Sequence, residues 1–286
     1  MRHAIVEGKF YPEDKTTLKK QIESFFSQLE VASLKDRNVR AGIAPHAGYV
    51  YSGKCAAFLC HLLRKNQFDT FLILGTNHSG LGEKITFSID DFDNCIGKVE
   101  SDMEVIEEIL VSGKKNKFDI GVSEEAHKYE HSIEVQLPFL QVVQKQFKIV
   151  PCLVRDLSLM EVEKLGKIIS NIIKESEKKG KKIFVLASSD FTHYGKAYGF
   201  LPFADKVREN LYALDNRAIE KILKLDVERF YGEARRTTIC GFNAVAVSVA
   251  VARNLGLSAE KLCYYTSGDV SGKWDNAVGY ASVAFS

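Results

Sequence analysis

Apolar residues occur along this chain in two kinds of run, short stretches rich in β-branched and aromatic residues and longer stretches with apolar residues every three or four positions. The short runs predict strands and the longer ones predict helices. A short edge hairpin is expected at 86–89. Predicted strands cover 39–44, 70–74, 147–154, 183–187, 262–266 and 278–285, and predicted helices cover 16–29, 54–65, 102–111, 132–144, 159–177, 204–225 and 241–255.

This alternation of strands and helices favours an α/β fold with a mostly parallel sheet covered by helices on both faces. The chain has 286 residues, 45% of them hydrophobic, which is enough for one large core. No linker rich in Pro, Gly or Ser divides the sequence. We therefore predict a single domain over 1–286.

Charge and hydropathy exclude several classes of partner. The net charge is +2 without a basic stripe, so we expect no nucleic acid partner. No apolar run approaches the roughly 20 residues of a spanning helix, and the first residues lack the regions of a secretory signal. We expect a cytoplasmic, soluble protein with no membrane partner.

Three histidines each follow a predicted strand, His46 in APHAGY, His78 in GTNHSG and His193 in SSDFTHYG. Because the carboxyl ends of strands in an open α/β sheet share one edge, these side chains are expected to meet in one crevice. Any one of them is readily explained as a turn or core histidine. Three in the same topological position predict a shared site, and imidazoles there suit metal binding or proton transfer.

Other side chains near these loops are candidates for the same site. Asp190, three residues before His193, is predicted to orient its ring, and Tyr194 is predicted to add a hydroxyl. Cys240 precedes a predicted helix whose dipole would stabilise a thiolate, so it is a candidate ligand or nucleophile. The other five cysteines form no CxxC pair and are expected to be small buried residues.

The segment 124–134 contains two histidines four residues apart, His127 and His131, which would face the same way on a helix. Two interpretations stay open. His131 and Glu134 line the crevice, or His131 and Ser132 form the N-cap region of the next helix. Tyr49, just after the His46 loop, is a further crevice candidate.

Six motifs occur in one order along the chain, and together they give a specific resemblance to a known family. They are GKFYP at 8–12, PHAGYVYSG at 45–53, GTNHSG at 75–80, EHSIEVQLPFL at 130–140, SSDFTHYG at 188–195 and CGFNA at 240–244. With these motifs the chain resembles the MEMO1 family, whose archaeal and bacterial members are also called AmmeMemoRadiSam system protein B.

The resemblance implies a fold similar to the LigB-type class III extradiol dioxygenases, which are non-haem iron enzymes. It places the metal ligands at His46, His78 and Cys240, with Asp190 beside them and His193 in the position of the catalytic acid/base. It also implies partners: microbial members act beside a radical SAM protein, whereas the human member binds iron or copper and phosphotyrosine peptides.

One departure from the dioxygenase pattern concerns the third ligand. The dioxygenases use two histidines and a carboxylate on iron, whereas the resemblance places Cys240 there. A thiolate is softer and more easily oxidised than a carboxylate. We therefore expect Fe(II) first, with Cu or Zn as alternatives.

Three functions are compatible with these residues. The first is a metal-dependent oxidoreductase acting on an unknown small molecule, with His193 as proton shuttle. The second is a non-catalytic protein that binds a peptide or another partner in the same crevice, with Tyr49, Tyr51 and Trp274 as aromatic anchors. The third is a cysteine hydrolase in which Cys240 attacks and His193 acts as base.

Overall fold

A computed structural model describes residues 1–29 and 38–286, and along them twelve strands and ten α-helices follow one another. The strands are β1 (Arg2–His3), β2 (Ala41–Ala44), β3 (Thr70–Thr76), β4 (Ile85–Phe87), β5 (Phe92–Asn94), β6 (Gly97–Ser101), β7 (Ile120–Val122), β8 (Lys148–Val154), β9 (Ile183–Ser188), β10 (His193–Gly195), β11 (Ala259–Thr266) and β12 (Asn276–Phe285). The helices are α1 (Lys15–Ser27), α2 (Tyr49–Leu63), α3 (Met103–Lys115), α4 (Glu124–Lys128), α5 (Leu137–Val143), α6 (Leu159–Lys178), α7 (Val207–Leu223), α8 (Val227–Ala234), α9 (Phe242–Asn254) and α10 (Ser267–Ser271).

All twelve strands belong to one mixed sheet. Its centre, in the order β6, β8, β3, β9, β2, is parallel throughout. Antiparallel pairs extend it on both sides, with β12 against β2, β10 and β11, β4 against β8, and β5 against β6. The α/β fold is therefore confirmed, and the predicted parallel pairing holds for the centre of the sheet, whereas the sheet as a whole is mixed. Apolar runs identify buried strands but do not give their direction.

Helices cover both faces of the sheet, as predicted. On β3, Leu72 and Leu74 pack into a core shared with α3, α6 and α9, whereas Phe71 and Ile73 pack into a second core with α1, α2 and α5. The alternation follows from the period of two along a strand. Among the helices of the described residues, none is both long and apolar enough to span a bilayer.

Several element boundaries differ from the prediction. Helix α2 begins at Tyr49, directly after Gly48, and not at residue 54. The helix predicted over 132–144 is reduced to a 3₁₀ turn, Glu134–Gln136, followed by α5, where Pro138 occupies the first turn. The hairpin expected at 86–89 is instead β4, which pairs with β7 and β8, and the sequence missed the true hairpin of β5 and β6.

The topology brings the predicted loops together. Strands β3, β9 and β2 are neighbours in the sheet. His78 follows β3, Asp190 follows β9 and His46 follows β2, each by two residues. These side chains therefore emerge at adjacent carboxyl ends, which is the crevice position of open α/β sheets.

A buried histidine away from this edge gives a pH-dependent stability. Burial lowers the pKa of His127 from 6.5 to about 4, although its Nε2 lies 3.0 Å from the Thr86 carbonyl oxygen. Because the folded-state pKa lies below the unfolded value, this contribution is complete above pH 6.5 and is lost as pH falls towards 4. Between pH 7 and 4.5 we expect the free energy of unfolding to fall by about 2 kcal/mol more in the wild type than in His127→Gln. Equal pH dependence in urea denaturation would contradict this.

Candidate metal centre

A cleft of about 580 Å³ opens at the carboxyl edge of the sheet. Four histidines line it, and the ligating atoms of His46, His78 and His131 lie within 4.8 Å of one another. The His78 and His131 rings are stacked with centroids 5.2 Å apart, and the His46 ring stands edge-on to both at 5.5 Å. Such a cluster of imidazoles could hold a metal ion.

The buried hydrogen-bond network around His46 determines which ring nitrogen is available. The Ser188 hydroxyl donates to the Ser132 carbonyl oxygen at 2.6 Å and accepts from the Gln136 amide at 2.8 Å. Because the hydroxyl proton is already used, the Ser188 oxygen must accept the 3.1 Å hydrogen bond from an N–H group at His46 Nδ1. His46 Nε2 is left as the ligand atom, directed at the cleft.

A buried carboxylate fixes His78 in the same way. Glu130 accepts the His78 and Ser132 backbone N–H groups at 2.8 and 2.7 Å, and His78 Nδ1 lies 3.0 Å from its Oε2. Burial raises the pKa of Glu130, but the His78 contact outweighs burial and lowers it to about 2. The carboxylate therefore accepts a hydrogen bond from the Nδ1–H group and leaves His78 Nε2 to bind, as in carboxylate–histidine–metal arrangements.

The Cys240 sulfur lies against the His46 imidazole. Its Sγ is 3.3 Å from His46 Nε2. Two ligands of one tetrahedral ion, at about 2.0 and 2.3 Å from it, would stand about 3.5 Å apart, so this spacing fits a shared ion. Burial raises the pKa of the Cys240 thiol, but contacts with His46 and His78 outweigh burial and lower it to about 5. The site therefore favours a thiolate, which is the ligand form.

His131 completes the cluster and was not among the three predicted ligands. Burial and the neighbouring His46 lower the pKa of His131 to about 4, so its ring is neutral at pH 7 and keeps a lone pair. Phe10 packs edge-on against it at 5.0 Å. Of the two interpretations left open, the crevice position is observed for His131 but not for Glu134.

His193 and Asp190 both line the cleft, but they do not orient each other as predicted. His193 Nδ1 lies 3.0 and 3.1 Å from the carbonyl oxygens of Phe191 and Thr238, so these two groups orient the ring. Asp190 Oδ1 instead accepts the backbone N–H groups of His46 and Ala47 at 2.8 and 3.3 Å. Asp190 thus holds the His46 loop, and His193 presents Nε2.

Three predicted crevice residues lie outside the cleft lining. Glu134 pairs with Arg2 in the interior, Tyr49 is buried and donates to the Val135 carbonyl oxygen, and Tyr194 donates to the Phe203 carbonyl oxygen. Each stands within one of the six motifs, but its side chain packs into the protein. Trp274, predicted as an aromatic anchor of the crevice, packs instead against a small apolar cluster that contains Tyr194. Tyr51, another predicted anchor, does line the cleft.

Sequence reasoning assigned no role to Glu130, Ser188 or Gln136, although all three stand within the motifs. Each is at most 2% exposed. Glu130 bonds to His78, Ser188 bonds to His46, and Gln136 bonds to Ser188. Polar residues inside otherwise apolar segments were the available signal. Their partners depend on contacts between distant segments.

Changing Glu130 to Gln is expected to weaken metal binding by about 10-fold to 100-fold. The variant replaces one carboxylate oxygen by an NH₂ group facing N–H donors, so His78 loses its orienting acceptor. Competition with a chromophoric chelator measures the affinity. Glu125→Gln, on the exposed side of α4, is the matched control and should bind like the wild type. Equal affinities of both variants would contradict the assigned role.

Comparison with known proteins agrees with these motifs over the full length. A family model described as Memo-like protein matches residues 2–284. A MEMO1 family protein of Methanosarcina barkeri is 38% identical over 99% of both chains. MEMO1 family proteins of Thermococcus onnurineus and Thermococcus kodakarensis are 38% and 39% identical, each over 100% of this chain and 99% of its own length.

Proposed function

Because the chain belongs to the MEMO1 family of Memo-like proteins, we propose that it is a metal-dependent oxidoreductase with one ion held by His46, His78 and Cys240. The observation that carries this proposal is the 3.3 Å approach of Cys240 Sγ to His46 Nε2, beside a His78 ring fixed by Glu130. Two imidazoles and a thiolate suit Fe(II), Cu or Zn, and we place Fe(II) first. A LigB-like fold is part of the same proposal.

The side chains of the cleft have separate tasks in this proposal. The bound ion would supply redox chemistry and Lewis acidity. Asp190 holds the His46 loop through two backbone N–H groups. His193 donates hydrogen bonds from Nδ1–H to two carbonyl oxygens, so its Nε2 can accept a proton from a substrate or deliver one to it. Phe10 and Tyr198 offer flat apolar walls, which favour a small aromatic or otherwise oxidisable substrate.

The test uses protein purified anaerobically without a metal-affinity tag and loaded with Fe(II). We expect one equivalent of iron and oxygen uptake that depends on a member of a panel of catechols and other small phenols. His193→Gln should keep the iron and lose turnover, by about 10²-fold or more. Tyr194→Phe, whose hydroxyl lies outside the cleft, is the control. Stoichiometric iron without substrate-dependent uptake over the panel would overturn the catalytic proposal.

A second candidate is a non-catalytic protein that binds a peptide in the same cleft. The observation in its favour is that Tyr51 and Tyr198, which line the cleft, are each 44% exposed. Calorimetric titration with tyrosine-containing and alanine-substituted peptides tests it. Binding that is lost in Tyr51→Ala, together with no turnover, would favour this candidate, and no binding would dismiss it.

The cysteine hydrolase is the least supported of the three functions. The imidazole that contacts Cys240 is His46, and the contact predicted with His193 is not the one observed. Iodoacetamide labelling separates the two chemistries. If Cys240 is a ligand, metal loading should protect it from alkylation, whereas a hydrolase would be inactivated by alkylation with or without metal.

A further inference from the structure

A pair of cysteines lies outside the metal centre. Cys55 on α2 and Cys263 on β11 are far apart in sequence, yet the two side chains are brought together in the fold. Both belong to one small apolar cluster with Tyr265 and Tyr280. Two cysteines that pack in the same cluster are candidates for a disulfide.

The contact follows from how β11 packs on α2. Cys263 and Tyr265 are two residues apart, so both point to the same face of the strand. On that face the Tyr265 hydroxyl accepts from the Cys55 backbone N–H at 3.1 Å and donates to the Tyr51 carbonyl oxygen at 2.8 Å. A register shift between Lys261 and Cys263 marks a bulge in β11, which locally bends the strand.

The two thiols differ in reactivity. Cys55 is fully buried, whereas Cys263 is partly exposed. The interaction with the Cys55 thiol lowers the pKa of Cys263, and Lys54 and Lys261 lower it further, although burial opposes them. Burial raises the pKa of Cys55. Cys263 is therefore the nucleophile of the pair, and Cys55 is the thiol positioned to react with it afterwards.

The pair lies behind the wall of the cleft. Cys55 packs with Val278 and Tyr280, and these two residues line the cleft. A covalent bond there would join α2, which begins three residues after His46, to β11. The pair would thus report oxidising conditions beside the proposed metal centre, with chemistry independent of it.

We propose that Cys55 and Cys263 form a reversible disulfide when the protein meets a hydroperoxide. The Cys263 thiolate attacks the peroxide oxygen, giving a sulfenic acid and, after protonation of the leaving hydroxide, water. The Cys55 sulfur then attacks the sulfenic sulfur, its proton leaving with the departing hydroxyl as a second water. Two thiols and one hydrogen peroxide thus give one disulfide and two waters. A small dithiol reverses the reaction by thiol–disulfide exchange.

The test treats the full-length protein with hydrogen peroxide, blocks free thiols with N-ethylmaleimide and maps the digest by mass spectrometry. We expect a peptide pair joined through Cys55 and Cys263, and its loss after dithiothreitol. Joining two distant segments also constrains the unfolded chain, so the oxidised protein should melt at a higher temperature than the reduced one. Both readouts should disappear in Cys263→Ser.

Cys60→Ser is the matched control, because Cys60 is a buried thiol on the same helix and lies outside the apolar cluster of the pair. It should form the Cys55–Cys263 linkage like the wild type. Cys240→Ala should also form it, which separates this chemistry from oxidation at the metal centre. Cys263 found only as an unlinked sulfinic or sulfonic acid, or a linkage of Cys55 to another cysteine, would overturn the proposal.

Discussion

Replacing His46 by alanine is expected to weaken metal binding by more than about a hundred-fold, the upper limit for loss of a group that only orients a ligand. His46 Nε2 is the ring atom that contacts the Cys240 sulfur, and its Nδ1 is held by Ser188. The variant therefore removes a ligand atom and leaves the thiolate without its partner. Competition with a chromophoric chelator at fixed pH measures the change.

Two controls separate lost ligation from lost structure. His3→Ala removes an imidazole whose side chain is 73% exposed and should leave the affinity unchanged. His46→Gln keeps a hydrogen-bonding side chain of similar size and should be nearly as impaired as His46→Ala. A folded His46→Ala protein with wild-type affinity would show that the ion is held elsewhere.

Replacing Glu134 by alanine is expected to lower the free energy of unfolding by about 3–5 kcal/mol. Glu134 is 1% exposed and lies 2.5 Å from an Arg2 guanidinium nitrogen. It also accepts the backbone N–H groups of Ile5 and Val6 and the Tyr11 hydroxyl. The variant leaves a buried arginine without its carboxylate partner and three further donors without their acceptor. Urea denaturation at pH 7 gives the value.

An exposed ion pair supplies the comparison for Glu134. Glu175→Ala breaks the ion pair with Lys178, in which both side chains are more than 60% exposed. It should lower the free energy of unfolding by at most about 1 kcal/mol. Stability and metal affinity measured on Glu134→Ala together decide between the buried ion pair and the predicted place in the cleft. If Glu134→Ala keeps its stability but loses metal affinity, the role of Glu134 lies in the cleft and not in the buried ion pair.

The parts of the fold that the sequence predicted are those where burial dominates. Strand β3 is buried on both faces, and its uninterrupted apolar run TFLIL therefore stood out. The β5–β6 hairpin escaped because its residues FDN and GKVES are half-buried and mostly polar. The direction of β12 against β2 depends on pairing between distant segments, which no local pattern encodes.

The candidate site divides in the same way. His46 and His78 could be placed at one sheet edge because each closely follows a strand, and the structure brings Cys240 to His46. The predicted Asp190–His193 contact was wrong because spacing in a loop does not fix where a carboxylate points. His131 and Glu130 come from a segment with little regular structure, so their positions follow from tertiary packing.

X-ray absorption at the edge of the bound metal tests the central claim most directly. In wild-type protein loaded with Fe(II) or Zn(II), we expect nitrogen scatterers together with one sulfur scatterer at about 2.3 Å. In Cys240→Ser the sulfur shell should disappear. A wild-type spectrum without sulfur would contradict the assignment and would leave an ion held by the imidazoles of His46, His78 and His131 alone.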